Sequence, residues 1–265
     1  MVNKATATTE TSVEKHKFIS NSKLLFAVSQ ALVVVQVALF VNPIAGVYLN
    51  AIVFALLVRV AILHDKARDL AISVAILPVA NMISLSLPQT TSFARTVVFY
   101  DSILILGLIY RFMLTLDQPV KTTKLTVRGY LTLLPAMIIL GQLLGGIGYL
   151  MLRHHYSFNH ISLPLVAATS VVFAISEEVI FRGLIQQRAE KAMHPIAAAV
   201  LSTLLYTAYS FGHGASYLTP LFALLMGSIL AFIYYKKQNL VLTICVNAVS
   251  KLVYISLLAN FIFRK

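Results

Sequence analysis

From residue 24 onward the chain alternates long apolar runs with short polar interruptions, and the runs recur at about the 20 residues that a helix needs to cross a hydrocarbon layer. This pattern predicts spans at 24–41, 43–63, 70–87, 96–114, 130–152, 163–181, 195–211, 218–235 and 240–263, hence an all-α, polytopic transmembrane bundle of about eight or nine spans. No extended period-two alternation suggests a barrel, so the spans must satisfy their own backbone hydrogen bonds as helices. The link Val41-Asn42-Pro43 is short enough to force the first two spans into an antiparallel hairpin. No internal repeat is visible, which leaves a transporter built on inverted repeats without positive support. Three regions are expected: a flexible polar tail over 1–22, N-terminal transmembrane helices over 23–160, and a transmembrane core over 161–265.

Composition sharpens this picture. Hydrophobic residues make up 59% of the chain and charged ones 11%, with a mean hydropathy of +0.85, which excludes both an ordinary soluble domain and a disordered one. The net charge of +12 is spread over the loops and not gathered on one basic face, so membrane lipids are the expected partners and nucleic acid is not. Basic residues from Lys4 to Lys23, then Lys66 and Arg68, Lys121, Lys124 and Arg128, Arg182, Arg188 and Lys191, and Lys236 and Lys237 all fall on one side. The opposite loops carry at most an isolated Arg95 or Arg153. By the positive-inside rule this places the N-terminal tail in the cytoplasm of a multi-pass protein of the cell membrane. Nine spans would leave the C-terminus outside, against which Arg264 and Lys265 argue weakly, so a re-entrant span stays open. No cleavable signal is expected before the first span. Cys245, the only cysteine, lies inside a span and has neither a disulfide partner nor a polar setting for thiol chemistry.

Against a total of nine Asp and Glu, the adjacent Glu177 and Glu178 near the end of an apolar run stand out, because a carboxylate at membrane depth is costly and marks a functional site by default. The plainer alternative is a helix end at the headgroups with Arg182 as local counter-ion. Glu178 and Arg182 are i and i+4 and can pair along one face, whereas Glu177 points about 100° away and is expected to stay free as a general base. Tyr206, Ser210 and His213 recur at i, i+4, i+7 along one flank of a later span. Asn247 and Lys251 are again i and i+4. A lysine in the middle of an apolar span is expected to seek a carboxylate or to snorkel. For each of these groups a packing role stands beside the chemical one: Tyr206 as an interface aromatic, Ser210 bonded to its own backbone, His213 as a loop residue, Asn247 as interhelical glue. Asp101 is a further intramembrane acid without an evident partner, and His154, His155 and His160 cluster in a loop on the opposite side from the glutamates.

The run Glu177-Glu178-Val179-Ile180-Phe181-Arg182-Gly183 resembles the first motif of the CAAX prenyl protease and bacteriocin-processing (Abi) family of intramembrane peptidases, Glu-Glu-x-x-x-Arg, with the usual Phe and Gly. The resemblance extends over roughly 163–258. The family's second motif, Phe-x-x-x-His, aligns with Tyr206 in place of Phe and Ser210 in place of His, or with Tyr209 and His213 after a shift of three residues. Its third, His-x-x-x-Asn, aligns with Asn247 in place of His and Lys251 in place of Asn. The resemblance implies a glutamate-dependent endopeptidase in which Glu177 activates water, Glu178 and Arg182 fix the site, and His213 or Asn247 steadies the water or the oxyanion. Tyr206, Ser210 and Lys251 would then line the substrate, a membrane-associated peptide or protein. The degenerate second and third motifs imply the alternative, a pseudopeptidase that binds a membrane partner in the same cavity. A transporter path through Glu177, Glu178 and Lys251 is the third class. No cofactor is expected; a divalent metal such as zinc is left open, although the aligned positions lack the three His, Cys or carboxylate ligands zinc favours.

Overall fold

The computed structural model describes residues 27, 30–39, 41–86, 100–110, 123, 125–153, 163–213 and 216–262. The expected tail, the histidines at 154, 155 and 160, Arg95, Lys121, Lys124 and the C-terminal Arg264 and Lys265 lie outside the described residues. Among those described the chain is helical apart from short turns and links, and no strand occurs. Six helices are long and apolar enough to cross a membrane, and three shorter apolar ones accompany them, so this is an all-α, multi-pass membrane bundle.

The N-terminal helices are α1 (Gln30–Leu39), α2 (Pro43–Leu63) and α3 (Asp65–Ser86). Asn42 makes the hairpin between the first two. Its side-chain oxygen accepts from the amides of Ile44 and Ala45 at 3.1 and 3.2 Å and so caps α2. Helix α4 (Tyr100–Tyr110) lies with Gly107 directly against Ile180, since a β-carbon there would stand 2.6 Å from the Ile180 side chain. The remainder comprises α5 (Val127–Leu152), α6 (Leu163–Glu178), a wide-turned π segment (Val179–Gln186), α7 (Gln187–Ala192), α8 (Pro195–His213), α9 (Leu218–Lys237) and α10 (Leu240–Ile262). The main packing partners are α5 with α10, α2 with α3, α8 with α9, and α6 with α10.

The sixth span departs from the sequence-based expectation. It does not end at Phe181 but runs through the π segment to Ala192, a continuous apolar stretch over Pro164–Ala192. Arg182 and Arg188, which suggest a loop in the sequence, are both buried. Each has a carboxylate partner at 3.3 Å, the fully buried Glu178 for Arg182 and the partly exposed Asp69, at the start of α3, for Arg188. Arg182 is therefore part of an internal ion pair and Arg188 part of a pair at the end of the bundle, and only Lys191 of that basic group is exposed.

Helix α10 carries Asn247 and Lys251, and its position depends on two glycines of α5. A β-carbon at Gly141 would come within 2.8 Å of the Val246 carbonyl, and one at Gly145 within 2.6 Å of the Ser250 carbonyl. This is the small-residue spacing that lets membrane helices approach closely. Gly145→Leu is expected to push α10 away and to lower stability by about 1–3 kcal/mol, the range for overpacking a close contact. Thermal unfolding in detergent checks this. The control is Gly146→Ala, where a β-carbon would meet nothing within 4 Å and the melting temperature should not fall.

Candidate functional site

The centre is built on the junction between α6 and the π segment. Such wide turns are rare and recur at functional sites. Here the turn buries Glu177, Glu178, Phe181 and Arg182 together, and the Phe181 carbonyl is held by the Ser202 hydroxyl at 2.7 Å. Arg182 pairs with Glu178 at 3.3 Å with both side chains fully excluded from the surface. It also donates to the Gly227 carbonyl of α9 at 3.1 Å and lies 4.9 Å from the centroid of the Tyr206 ring. One turn further on, Gln186 donates to the Ala231 carbonyl at 3.3 Å. The π segment is thereby fastened to α9 by two side chains reaching carbonyls four residues apart.

Glu177 is more heavily engaged still. Its Oε1 accepts from the Tyr100 hydroxyl at 2.5 Å and from the Lys251 ammonium at 2.9 Å. Its Oε2 accepts from the Tyr206 hydroxyl at 3.1 Å and from the Asn247 amide at 2.8 Å. The same Asn247 nitrogen donates to Glu178 Oε1 at 2.9 Å. The expectation that adjacent acids divide into one fixed and one free carboxylate is thus corrected. Both carboxylates converge on Asn247, because its two amide protons can serve one acid each, and Glu177 has more donors than Glu178. Lys251 approaches a glutamate across the bundle, and that glutamate is Glu177.

Asn247, Tyr206 and Lys251 therefore meet the glutamates. Ser210 does not: its hydroxyl donates to the Thr207 carbonyl at 2.6 Å, the local bond that a serine in a membrane helix readily makes. His213 is the last residue of α8, and its side chain lies outside the described residues. The residue missed in the sequence is Tyr100. Its ring stacks on Phe173 at 4.4 Å, and the Lys251 ammonium lies 5.6 Å from its centroid. Only its neighbour Asp101 hints that this span carries anything polar at depth.

Two acceptors of the centre, Glu178 Oε2 and Asn247 Oδ1, have no hydrogen-bond donor among the described residues. The Thr243 hydroxyl stands beside Glu178, but its proton goes to the Leu240 carbonyl at 2.9 Å. For a divalent metal the donor set is a poor fit. Among the described residues no three His, Cys, Asp or Glu side chains gather, and both glutamates are already held by cationic side chains.

Fold and centre together define a polytopic membrane protein with a buried, multiply bonded glutamate pair at the heart of its C-terminal helices. Residues 159–253 match the family model described as type II CAAX prenyl endopeptidase Rce1-like, a likeness over about a third of the chain that is consistent with the CAAX-protease and Abi resemblance of the glutamate motif. The matched segment contains every member of the centre except Tyr100. No curated protein and no solved structure gives a match.

Proposed function

We propose that the chain is a catalytically impaired member of this endopeptidase family, a pseudopeptidase that binds a membrane-associated peptide or protein segment. The observation that carries this reading is the occupancy of Glu177. A carboxylate offers about four lone-pair positions, and here Tyr100, Lys251, Tyr206 and Asn247 take two on each oxygen. A general base must hold the water it activates within hydrogen-bond reach. Glu177 can do so only if a donor withdraws. The replacement of the family's expected histidines by Ser210 and Asn247, and of its asparagine by Lys251, supports the same conclusion.

The second reading is a working endopeptidase in which Glu177 activates water, Glu178 and Arg182 fix the site, and Asn247 with His213 steadies the oxyanion. Two facts favour it. Lys251 is 13% exposed and on a flexible side chain, and its withdrawal would release a position on Oε1. The unpaired Glu178 Oε2 and Asn247 Oδ1 would suit a water donating both protons. The two readings separate when purified protein in lipid bilayers is given prenylated CAAX peptides and a membrane-spanning peptide. Retention without cleavage products by mass spectrometry is the expected result. Turnover that disappears in Glu177→Gln would establish the peptidase instead, since the amide keeps the shape but cannot take a proton.

The geometry also supports the expected orientation. The Arg188–Asp69 pair joins α7 to the start of α3. Gln238 at the end of α9 reaches Glu190 and accepts from the Thr123 amide. Exposed Arg68, Arg128, Lys191, Lys236 and Lys237 thus gather at one end of the bundle, which we assign to the cytoplasmic face of the cell membrane, with anionic lipid as its partner. In a Cys245→Ala background, labelling of Arg68→Cys and Lys237→Cys by an impermeant reagent should occur only after the membrane is opened.

A further inference from the structure

Asp101 lies on the outer face of α4 and is exposed. Ile105, Leu108 and Ile109 follow it at i+4, i+7 and i+8 and are 57%, 37% and 48% exposed, so the four form one stripe along the helix. The inner face of the same helix is accounted for by Tyr100 on Glu177 and by Gly107 against Ile180. The level of Asp101 along the bundle is set by two anchors. Tyr100, its neighbour, is bonded to Glu177, and Tyr110 donates to the Asp69 carbonyl at the charged end of the bundle. Ten residues of helix separate these anchors, about 15 Å at 1.5 Å per residue and about half of a hydrocarbon core. Asp101 has no ion pair or hydrogen bond among the described residues, and a carboxylate facing lipid at this depth is expensive unless a cation or donor reaches it.

We infer that the outer face of α4 is a docking surface for a transmembrane helix of another protein that carries a Lys or Arg near the bilayer midplane. Charge selects this occupant. Among the described residues a second copy of this chain does not supply the complement, because the exposed Arg68, Arg128, Arg153, Lys191, Lys236 and Lys237 stand at helix ends. Exposed Arg59 lies one turn from the end of α2 at Leu63, on the side of the charged end and not at the depth of Asp101. The apolar residues at i+4, i+7 and i+8 supply the packing strip on which such a helix would lie. The inference stands whether or not the glutamate centre cleaves, since Asp101 is outside that centre. Because Tyr100 and Asp101 are adjacent, a helix docked here would rest directly beside the centre.

The test uses the full chain, fluorescently labelled, in vesicles with an acceptor-labelled polyleucine transmembrane peptide bearing one central Lys, and the same peptide with Leu in its place. Energy transfer should show the Lys peptide associating at least about fivefold more tightly than the Leu peptide, on the scale of polar pairs in model membrane helices. Asp101→Leu should remove that preference while leaving the melting temperature of the free protein unchanged or higher, because an exposed intramembrane charge has gone. Equal association of the two peptides with the unaltered chain would overturn the inference, as would a Lys preference that survives in Asp101→Leu. Self-association of the labelled chain that Asp101→Leu abolishes would identify a second copy as the occupant and overturn it as well.

Discussion

Arg182→Met is expected to lower unfolding stability by about 3–5 kcal/mol, because it leaves Glu178 as an uncompensated charge in the membrane interior. Both side chains of the pair are fully buried, so neither water nor lipid headgroups can replace the lost partner. The arginine also holds the Gly227 carbonyl and lies over Tyr206, which ties α8 and α9 to the π segment. Glu178→Gln alone should be costly for the mirror reason. The double variant, Glu178→Gln with Arg182→Met, should recover a large part of the loss, since a buried pair replaced as a unit is often nearly neutral. Denaturant unfolding of the three variants in the same micelles measures this. A double variant as unstable as the sum of the singles would show that the two groups do not act as a pair.

The second large effect concerns activity. The triple variant Ser210→His, Asn247→His and Lys251→Asn restores the residue types that the family resemblance places at those positions. It also removes the ammonium and the amide that occupy Glu177. Lys251→Asn frees a lone pair on Oε1, and Asn247→His exchanges a donor shared by both glutamates for a group that can orient water or an oxyanion. Cleavage of a membrane-spanning peptide is expected to rise at least about 10²-fold above the unaltered chain, the scale of a single positioned acid, base or oxyanion donor. Glu177→Gln in the triple background should abolish the gain. A folded triple variant with no gain would mean that more than these three residues separates the chain from an active peptidase.

Much of this architecture is legible in the sequence because lipid allows few solutions. The apolar runs had to be helices, and their approximate limits follow from length and composition. The glutamate pair was visible because a carboxylate in such a chain is rare, and the Lys251 contact because an ammonium at depth needs a partner. The end of the sixth span was not legible. Arg182 and Arg188 look like loop residues until Glu178 and Asp69 are seen to neutralise them, and Asp69 is 119 residues distant from Arg188. Tyr100 was hidden for a related reason. An aromatic residue in an apolar span reads as packing, and nothing local links it to a carboxylate 77 residues away. The engagement of Glu177 is not legible because helical angles describe only neighbours on its own helix, whereas all four of its donors come from other helices.

The central claim, that Glu177 is held by Lys251 and so withheld from water, can be measured without any substrate. Solid-state NMR of the full chain in lipid bilayers, with lysine side-chain nitrogen and glutamate carboxyl carbon isotopically labelled, reports the dipolar coupling between Lys251 Nζ and the Glu177 carboxylate. Single Lys251→Met and Glu177→Gln samples assign the signal. The ammonium-to-Oε1 distance of 2.9 Å should give a strong direct-contact coupling that both substitutions remove. A Lys251 amine with no coupling to that carboxylate, and in contact with lipid phosphate instead, would contradict the claim.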